Sequence, residues 1–249
     1  MKMQGKIIIF LLLFSSVVWA KSDWDFYQKY GHTSAKWDSL VEAGLETFDG
    51  GNLDTAQNFL QRAAALGCKD GLVQLKLAQI IEAKGNLSGA AETILKLKPL
   101  LDQQYPKYPQ TRDLAGHLGR LYYQLEKYDK ALPFFLEAIE KQGENFLFLY
   151  LAGQIYRMQE KKAEAITFFE KALQQKPSPE SPGPMVLLAS LELMRLYFAA
   201  EQFDKALQTA EAVLDADPAI AEAQNIRDEI RRAKYKEKEH KTWERILNR

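Results

Sequence analysis

A helical motif anchored on alanine recurs five times along the chain, and it constrains the fold more than any other feature. Its clearest copy, residues 160–177, places Ala165, Phe169 and Ala172 on one helical face and ends at Pro177. The leading alanines stand at positions 56, 90, 131, 165 and 206, so they are 34, 41, 34 and 41 residues apart. A period near 34 residues is typical of helix–turn–helix arrays. We therefore predict an all-α solenoid of five helical hairpins.

A second set of residues completes the motif. Twelve positions before each leading alanine stand Gly44, Ala78, Gly119, Gly153 and Met194. Three positions after these stand Thr47, Ile81, Tyr122, Tyr156 and Tyr197. Small residues on both helices allow close approach, and aromatic residues fill the space between neighbouring hairpins. In these residues the chain resembles the tetratricopeptide repeat family, which implies a right-handed superhelix whose first helices line a concave groove.

The resemblance divides most of the chain into repeats with a cap at each end. The predicted repeats are 37–70, 71–104, 112–145, 146–179 and 187–220. Repeats one and two lack the tyrosine and the proline of the motif, and Met194 departs from the small residue expected in repeat five. The aromatic-rich segment 21–36 is interpreted as an N-terminal cap, the alternative being an arm that binds a partner. Residues 221–249 are predicted to form a C-terminal capping helix that becomes highly charged after Lys234.

Two inserts explain the 41-residue spacings, since each adds seven residues to the 34-residue period. They contain the proline-rich stretches 105–109 and 180–184. Proline interrupts a helix, so we expect the second helix of repeat two to end at Pro99. The inserts are interpreted as loops with a lengthened following helix. The alternative is a hinge, because they bracket repeats three and four as a pair.

The first twenty residues have the features of a secretory signal peptide. Lys2 and Lys6 form a basic start, residues 7–14 are unbroken apolar, and a Val-Trp-Ala sequence suits cleavage after Ala20. The apolar stretch 7–20 is shorter than the roughly 20 residues that a membrane-spanning helix needs. This length disfavours the alternative of an uncleaved anchor. We expect an exported protein that is periplasmic or secreted, with no stable membrane span after cleavage.

Composition and motifs argue against several functions. Removing the signal takes two of the 33 basic residues and no acidic ones, which leaves no basic excess for nucleic-acid binding. The three histidines are not spaced with carboxylates or cysteines as metal ligands, and no phosphate-binding glycine loop or serine-elbow motif occurs. The single cysteine, Cys68, allows no intramolecular disulfide, which suits a bacterial periplasm, and its expected role is packing. We expect no cofactor, no metal and no enzymatic activity.

The resemblance places the remaining polar and aromatic residues of the first helices on the concave surface. The predicted partner-binding residues are His117, Arg120, Tyr123, Tyr150, Gln154, Arg157, Arg195 and Phe198. The same faces carry Lys76, Gln79, Glu82 and Glu192. Arginine recognises carboxylates and backbone carbonyls, and tyrosine offers rigid contact area. The positions of the family's carboxylate clamp hold Val41, Leu45 and Lys76, so capture of a chaperone C-terminus is not implied.

These features predict a non-catalytic scaffold or assembly factor of the bacterial cell envelope that binds a protein or peptide partner in its groove. Two alternatives stay open. The first is a structural component that forms homo-oligomers through its C-terminal helix, where Trp243, Ile246 and Leu247 form a small apolar patch. The second is an enzyme whose site is assembled from distant residues.

Overall fold

The computed structural model describes residues 23–175 and 183–247, and these residues form twelve α-helices with no strand among them. In chain order the helices are α1 Asp23–Tyr30, α2 Asp38–Asp49, α3 Leu53–Ala65, α4 Gly71–Ala83, α5 Leu87–Gln104, α6 Pro109–Gln124, α7 Tyr128–Gln142, α8 Phe146–Met158, α9 Lys162–Gln174, α10 Gly183–Ala199, α11 Phe203–Ala216 and α12 Ala221–Leu247. The predicted signal peptide and the end of the motif at Pro177 lie outside the described residues. Within the described part of the chain, none of the helices combines the length and apolarity that crossing a membrane requires.

The chain divides into two compact units, Met1–Gln142 and Gly143–Arg249. In unit 1, α1 precedes three hairpins, α2/α3, α4/α5 and α6/α7, and each hairpin packs on the next. In unit 2, the hairpins α8/α9 and α10/α11 pack in the same way, and α12 covers α11. The boundary at residues 142 and 143 falls between the third and fourth hairpins and at neither insert.

All five hairpins turn through the same backbone motif. The residue with positive φ is Gly51, Gly85, Glu126, Glu160 or Glu201, in chain order. The amide of the next residue donates to the carbonyl five positions earlier, as from Asn52 to Thr47 and from Lys161 to Tyr156, at 2.9 Å in both cases. This bond closes a Schellman-type helix end. The first two turns use the glycine that such a φ favours, while the last three use glutamate.

Size complementarity packs the two helices of each hairpin. A Cβ built on Gly119 would lie 2.7 Å from the Phe135 ring, and one on Gly44 would lie 2.5 Å from Leu60. Gly44 and Gly119 have no side chain because each faces a large residue on the second helix of its hairpin. The fifth hairpin reverses the sizes, since Met194 and Ala210 occupy the two equivalent positions and both are fully buried. This reversal explains the departure of Met194 from the motif.

The prediction that the second helix of repeat two ends at Pro99 is wrong, because α5 continues to Gln104. Pro99 itself is exposed, whereas Leu97 and Leu101 on either side are buried. An internal proline costs a helix about 3 kcal/mol. Burial of two leucines contributes about 1.5–3 kcal/mol each, which offsets that cost. The chain leaves the helix at Tyr105 and starts α6 at Pro109.

The aromatic side chains of α1 pack into unit 1 instead of extending as an arm. Tyr27 is fully buried, and the Phe26 ring meets Tyr108 of the first insert edge-on, with 5.0 Å between centroids. The Tyr108 hydroxyl donates a 2.6 Å hydrogen bond to Asp23, whose carboxylate also pairs with Lys76. Lys76 is 1% exposed. The expectation that Lys76 lies on an open groove surface is therefore wrong, because the side chain is buried in an ion pair with Asp23 of α1.

Candidate partner-binding site

The predicted partner-binding residues of unit 1 contact neighbouring side chains. His117 on α6 lies 2.7 Å from Glu82 on α4, between Nε2 and Oε2. Arg120 contacts Asp113 about two turns earlier in α6, with 3.4 Å between Nη2 and Oδ2. The Tyr123 ring meets Tyr128 edge-on at 5.3 Å. These side chains form a partly buried polar and aromatic surface on α6.

Two of the predicted residues of unit 2 are part of the interior. Tyr150 is 6% exposed and Gln154 is 7% exposed. The Gln154 amide donates to the Tyr150 hydroxyl at 2.9 Å, and its oxygen accepts from Arg157 Nη2 at 3.1 Å. Burial raises the pKa of Tyr150, so its hydroxyl stays protonated. These two residues orient Arg157 and offer little surface to a partner.

Four charged side chains of unit 2 form one continuous row, which we name the charge row: Arg157, Glu192, Arg195 and Glu222. Glu192 on α10 forms an ion pair with Arg157, with 3.3 Å between Oε2 and Nε, and accepts a hydrogen bond from Arg195 Nη1 at 3.1 Å. Glu222, in the first turn of α12, accepts from Arg195 Nε at 2.6 Å and from Nη2 at 2.5 Å. One carboxylate thus brings together arginines from the first helices of two successive hairpins.

The electrostatics of the charge row follow from these bonds. The hydrogen bond from Arg195 lowers the pKa of the Glu222 carboxyl, and the same bond raises the pKa of Arg195. Arg195 and Glu222 are therefore both charged at neutral pH, and they neutralise each other. Side-chain exposure is 39% for Arg157 and 35% for Arg195, which leaves each guanidinium partly accessible to another molecule.

An aromatic pair lies one turn farther along α10. The Phe198 ring meets Phe203, the first residue of α11, edge-on at 5.9 Å. Phe203 is 42% exposed, which is unusual for a large apolar side chain in this protein. Phe198 stands three residues after Arg195, so both lie on the same face of α10. Sequence reasoning did not select Phe203, because its position in the motif gives no sign that it stays exposed.

The sequence analysis also did not identify Glu222 as a residue of this site. It lies 27 residues after Arg195 in the chain, and only the packing of α12 brings the two together. The sequence contained one usable signal, an acidic residue in the first turn of a predicted helix, but that pattern occurs for local reasons in many helices.

A cavity of about 170 Å³ lies in unit 1 beside the first insert. Lys98 Nζ contacts Glu137 at 2.9 Å and Asp102 at 3.3 Å, and Lys141 contacts the same Glu137 at 2.7 Å. These four charges neutralise one another, and Arg112 adds one further positive charge to the lining. Elsewhere in the described residues, no group of three or more histidine, cysteine or acidic side chains could hold a metal ion. Cys68 is buried, and burial raises the pKa of its thiol, which opposes reactivity.

Comparisons with known proteins point to one family. Two models described as tetratricopeptide repeat match residues 117–182 and 156–230. Among solved structures, MamA of strain AMB-1 is similar at 20% identity and a TM-score of 0.57, covering 74% of this chain and 92% of that one. YrrB, described as a tetratricopeptide repeat protein with an unusual peptide-binding site, is similar at 16% identity and a TM-score of 0.59, covering 84% and 98%.

A tetratricopeptide repeat protein from Parabacteroides merdae is similar at 18% identity and a TM-score of 0.55, covering 79% of this chain and 73% of that one. At such identities the likeness concerns the fold. No curated protein sequence matches the chain.

Proposed function

Because the chain is a tetratricopeptide repeat protein with an all-α solenoid fold, we propose that it is a non-catalytic scaffold that binds a segment of another protein. The observation that carries the proposal is the position of Glu192. It holds Arg157 and Arg195 from successive hairpins within reach of a single carboxylate. Planar guanidinium groups arranged in this way suit a partner segment that carries carboxylates or free backbone carbonyls.

The accessible part of this site is smaller than the sequence prediction. In unit 2 it comprises Arg157, Arg195 and Phe198, together with Phe203. Tyr150 and Gln154 are buried and act as positioning residues for Arg157. In unit 1, His117, Arg120 and Tyr123 provide a second partly exposed surface on α6. We assign the partner segment to the concave face that the family uses for binding.

We further propose that the protein works in the bacterial cell envelope, most simply in the periplasm. The support is the sequence of residues 1–20, with its basic start, short apolar run and small-residue cleavage site. A scaffold or assembly factor for an envelope complex combines this location with the binding surface.

Partner capture from a native envelope extract tests the proposed function. Exchange of Arg120, Arg157 and Arg195 for alanine should strongly reduce capture, since charge-assisted hydrogen bonds are worth about 1.5–3 kcal/mol each. Helicity measured by circular dichroism should change little, because the three side chains are partly exposed.

The matched control exchanges three lysines that also form exposed ion pairs, namely Lys84, Lys171 and Lys205. This control removes the same net charge and should leave capture unchanged. Equal loss in both triple variants would show a general charge effect and contradict the groove assignment.

Self-association through α12 is the second candidate function. After Ile230, every side chain of α12 whose exposure the structure describes is exposed, including Tyr235 at 70%. Arg231 and Lys234 form ion pairs with Glu211 and Asp204 of α11, but exposed ion pairs stabilise a helix only slightly. A helix that buries little apolar surface is marginal in water, so this part of α12 would gain stability by contacting another surface. A chain truncated after Ala233 should then stay monomeric where the full chain shows a concentration-dependent mass in sedimentation. If the truncation instead abolishes partner capture and the arginine variant does not, α12 is the partner site.

A further inference from the structure

The contact between Arg195 and Glu222 has the geometry of ligand recognition. Two roughly parallel N–H···O bonds, of 2.6 and 2.5 Å, join the guanidinium edge to both carboxylate oxygens. Arginine binds a partner's carboxylate through this same two-bond arrangement. Glu222 therefore occupies the position that an incoming acidic side chain would take on Arg195.

The two carboxylates of the charge row differ in how easily they can be replaced. Glu192 is 15% exposed and forms ion pairs with both arginines, so it is a fixed part of the site. Glu222 is 41% exposed, and its two carboxylate oxygens each accept one hydrogen bond from Arg195. Once released, its carboxylate would be hydrated and would still lie in the first turn of α12, where the helix dipole favours a negative charge. Displacement of Glu222 is thus the less costly exchange.

We propose that Glu222 is an internal competitor for the binding site, and that the partner is an acidic segment whose carboxylate displaces Glu222 from Arg195. This inference rests on the proposed function. Phe198 lies on the same face of α10 as Arg195, and the exposed Phe203 contacts Phe198. We therefore expect an apolar residue next to the acidic residue of the partner segment. Because Glu222 belongs to α12, partner binding would break the contact between α12 and Arg195 of α10.

A titration with a defined probe tests the competition. The probe is a fluorescein-labelled peptide with four glutamates around one phenylalanine, and its isosteric control carries four glutamines. Fluorescence anisotropy at low salt follows binding to the mature chain. Glu222→Gln keeps the shape of the side chain and removes its charge, so it should lower the Kd for the glutamate peptide at least fivefold. A gain in affinity cannot arise from loss of folding.

Two further variants make the result specific. Glu211→Gln is the matched control, because Glu211 on α11 pairs with Arg231 on α12 at 2.8 Å and carries the same charge. It should change the Kd by less than twofold. Arg195→Gln added to Glu222→Gln should cancel the gain, since the peptide carboxylate then lacks its guanidinium.

The outcomes separate the inference from the proposed function. Tighter binding in Glu222→Gln alone, lost with Arg195→Gln, supports both. Equal affinities of the Glu222 and Glu211 variants, with weaker binding in Arg157→Gln and Arg195→Gln, overturn the internal competitor and keep the groove. If neither the wild type nor any variant distinguishes the glutamate peptide from the glutamine peptide, the acidic partner and the groove that would bind it are both rejected.

Discussion

Gly153 on α8 lies directly against the Phe169 ring on α9, and a Cβ added to the glycine would be 3.1 Å from Phe169 Cε1. The same pairing of a small with a large residue occurs at Gly119 and Phe135. Since Phe169 is fully buried, its ring has little freedom to move away. The distance between the two helices of the hairpin is therefore set by the absence of a side chain at position 153.

Gly153→Leu should consequently overpack the fourth hairpin. We expect a loss of on the order of 1–3 kcal/mol or more in the free energy of unfolding, read as a lower melting temperature. Ala163→Leu is the control, because Ala163 is exposed on α9 and the change adds a leucine without a steric conflict. Equal melting temperatures for the two variants would show that position 153 does not face α9.

The reversed pair in the fifth hairpin gives a coupling experiment. Ala210→Phe alone should overpack against Met194, costing about 1–3 kcal/mol. Met194→Gly alone should leave a cavity and cost roughly 2–5 kcal/mol or slightly more. The double variant recreates the glycine–phenylalanine pair of the third and fourth hairpins. Its loss of unfolding free energy should therefore be about 0.5–3 kcal/mol smaller than the sum of the losses in the two single variants. Chemical denaturation measures the cycle, and simple additivity would argue that the two residues do not meet.

Glu160 offers a stabilising substitution, because it turns the fourth hairpin with φ of 59°. This conformation costs a non-glycine residue roughly 1–2 kcal/mol, while glycine loses about 0.4–1 kcal/mol through the entropy of the unfolded chain. Glu160→Gly should therefore raise the free energy of unfolding by up to about 1.6 kcal/mol, the difference between these two ranges. Glu164→Gly, in the first turn of α9, should lower it, because glycine is a poor helix former and the change removes a negative charge that the helix N-terminus favours. Destabilisation by both changes would refute the strain at position 160.

Acidification should weaken the contact between α10 and α12. Arg195 lowers the pKa of Glu222 in the folded chain relative to its ordinary value of 4.5, so this contribution to stability is complete above that value. It is lost as the pH falls through the lowered folded pKa. Glu222→Gln should flatten the pH dependence of stability in this acidic range, whereas Glu211→Gln should not reproduce the effect. Because the pair is partly exposed, the difference is small and requires parallel denaturation curves.

Export can be checked on the native protein. If residues 1–20 are a cleaved signal peptide, the mature chain begins at Lys21, two residues before α1. Intact-mass spectrometry of material from the native envelope should give that N-terminus. A mass that includes Met1 would restore the anchor interpretation.

Sequence alone determined the fold class, because the information lies in local periodicity. Ala165, Phe169 and Ala172 recur at helical spacing, and each copy reports which side of a helix is buried. The glycines at 51 and 85 likewise mark turns, since they supply the positive φ that a hairpin needs. The candidate surface was predicted in part: the spacing places Arg157 and Arg195 on equivalent helices, and the structure joins them through Glu192.

Only the tertiary structure decided which side chains are paired, buried or exposed, because these properties depend on residues far apart in the chain. Lys76 is buried because Asp23 reaches it from α1, and Pro99 stays within α5 because the leucines around it find a core. The same holds for Arg195, whose partner Glu222 comes from α12. A motif reports the face on which a residue lies, whereas the contacts that other helices bring to that face depend on how the helices pack.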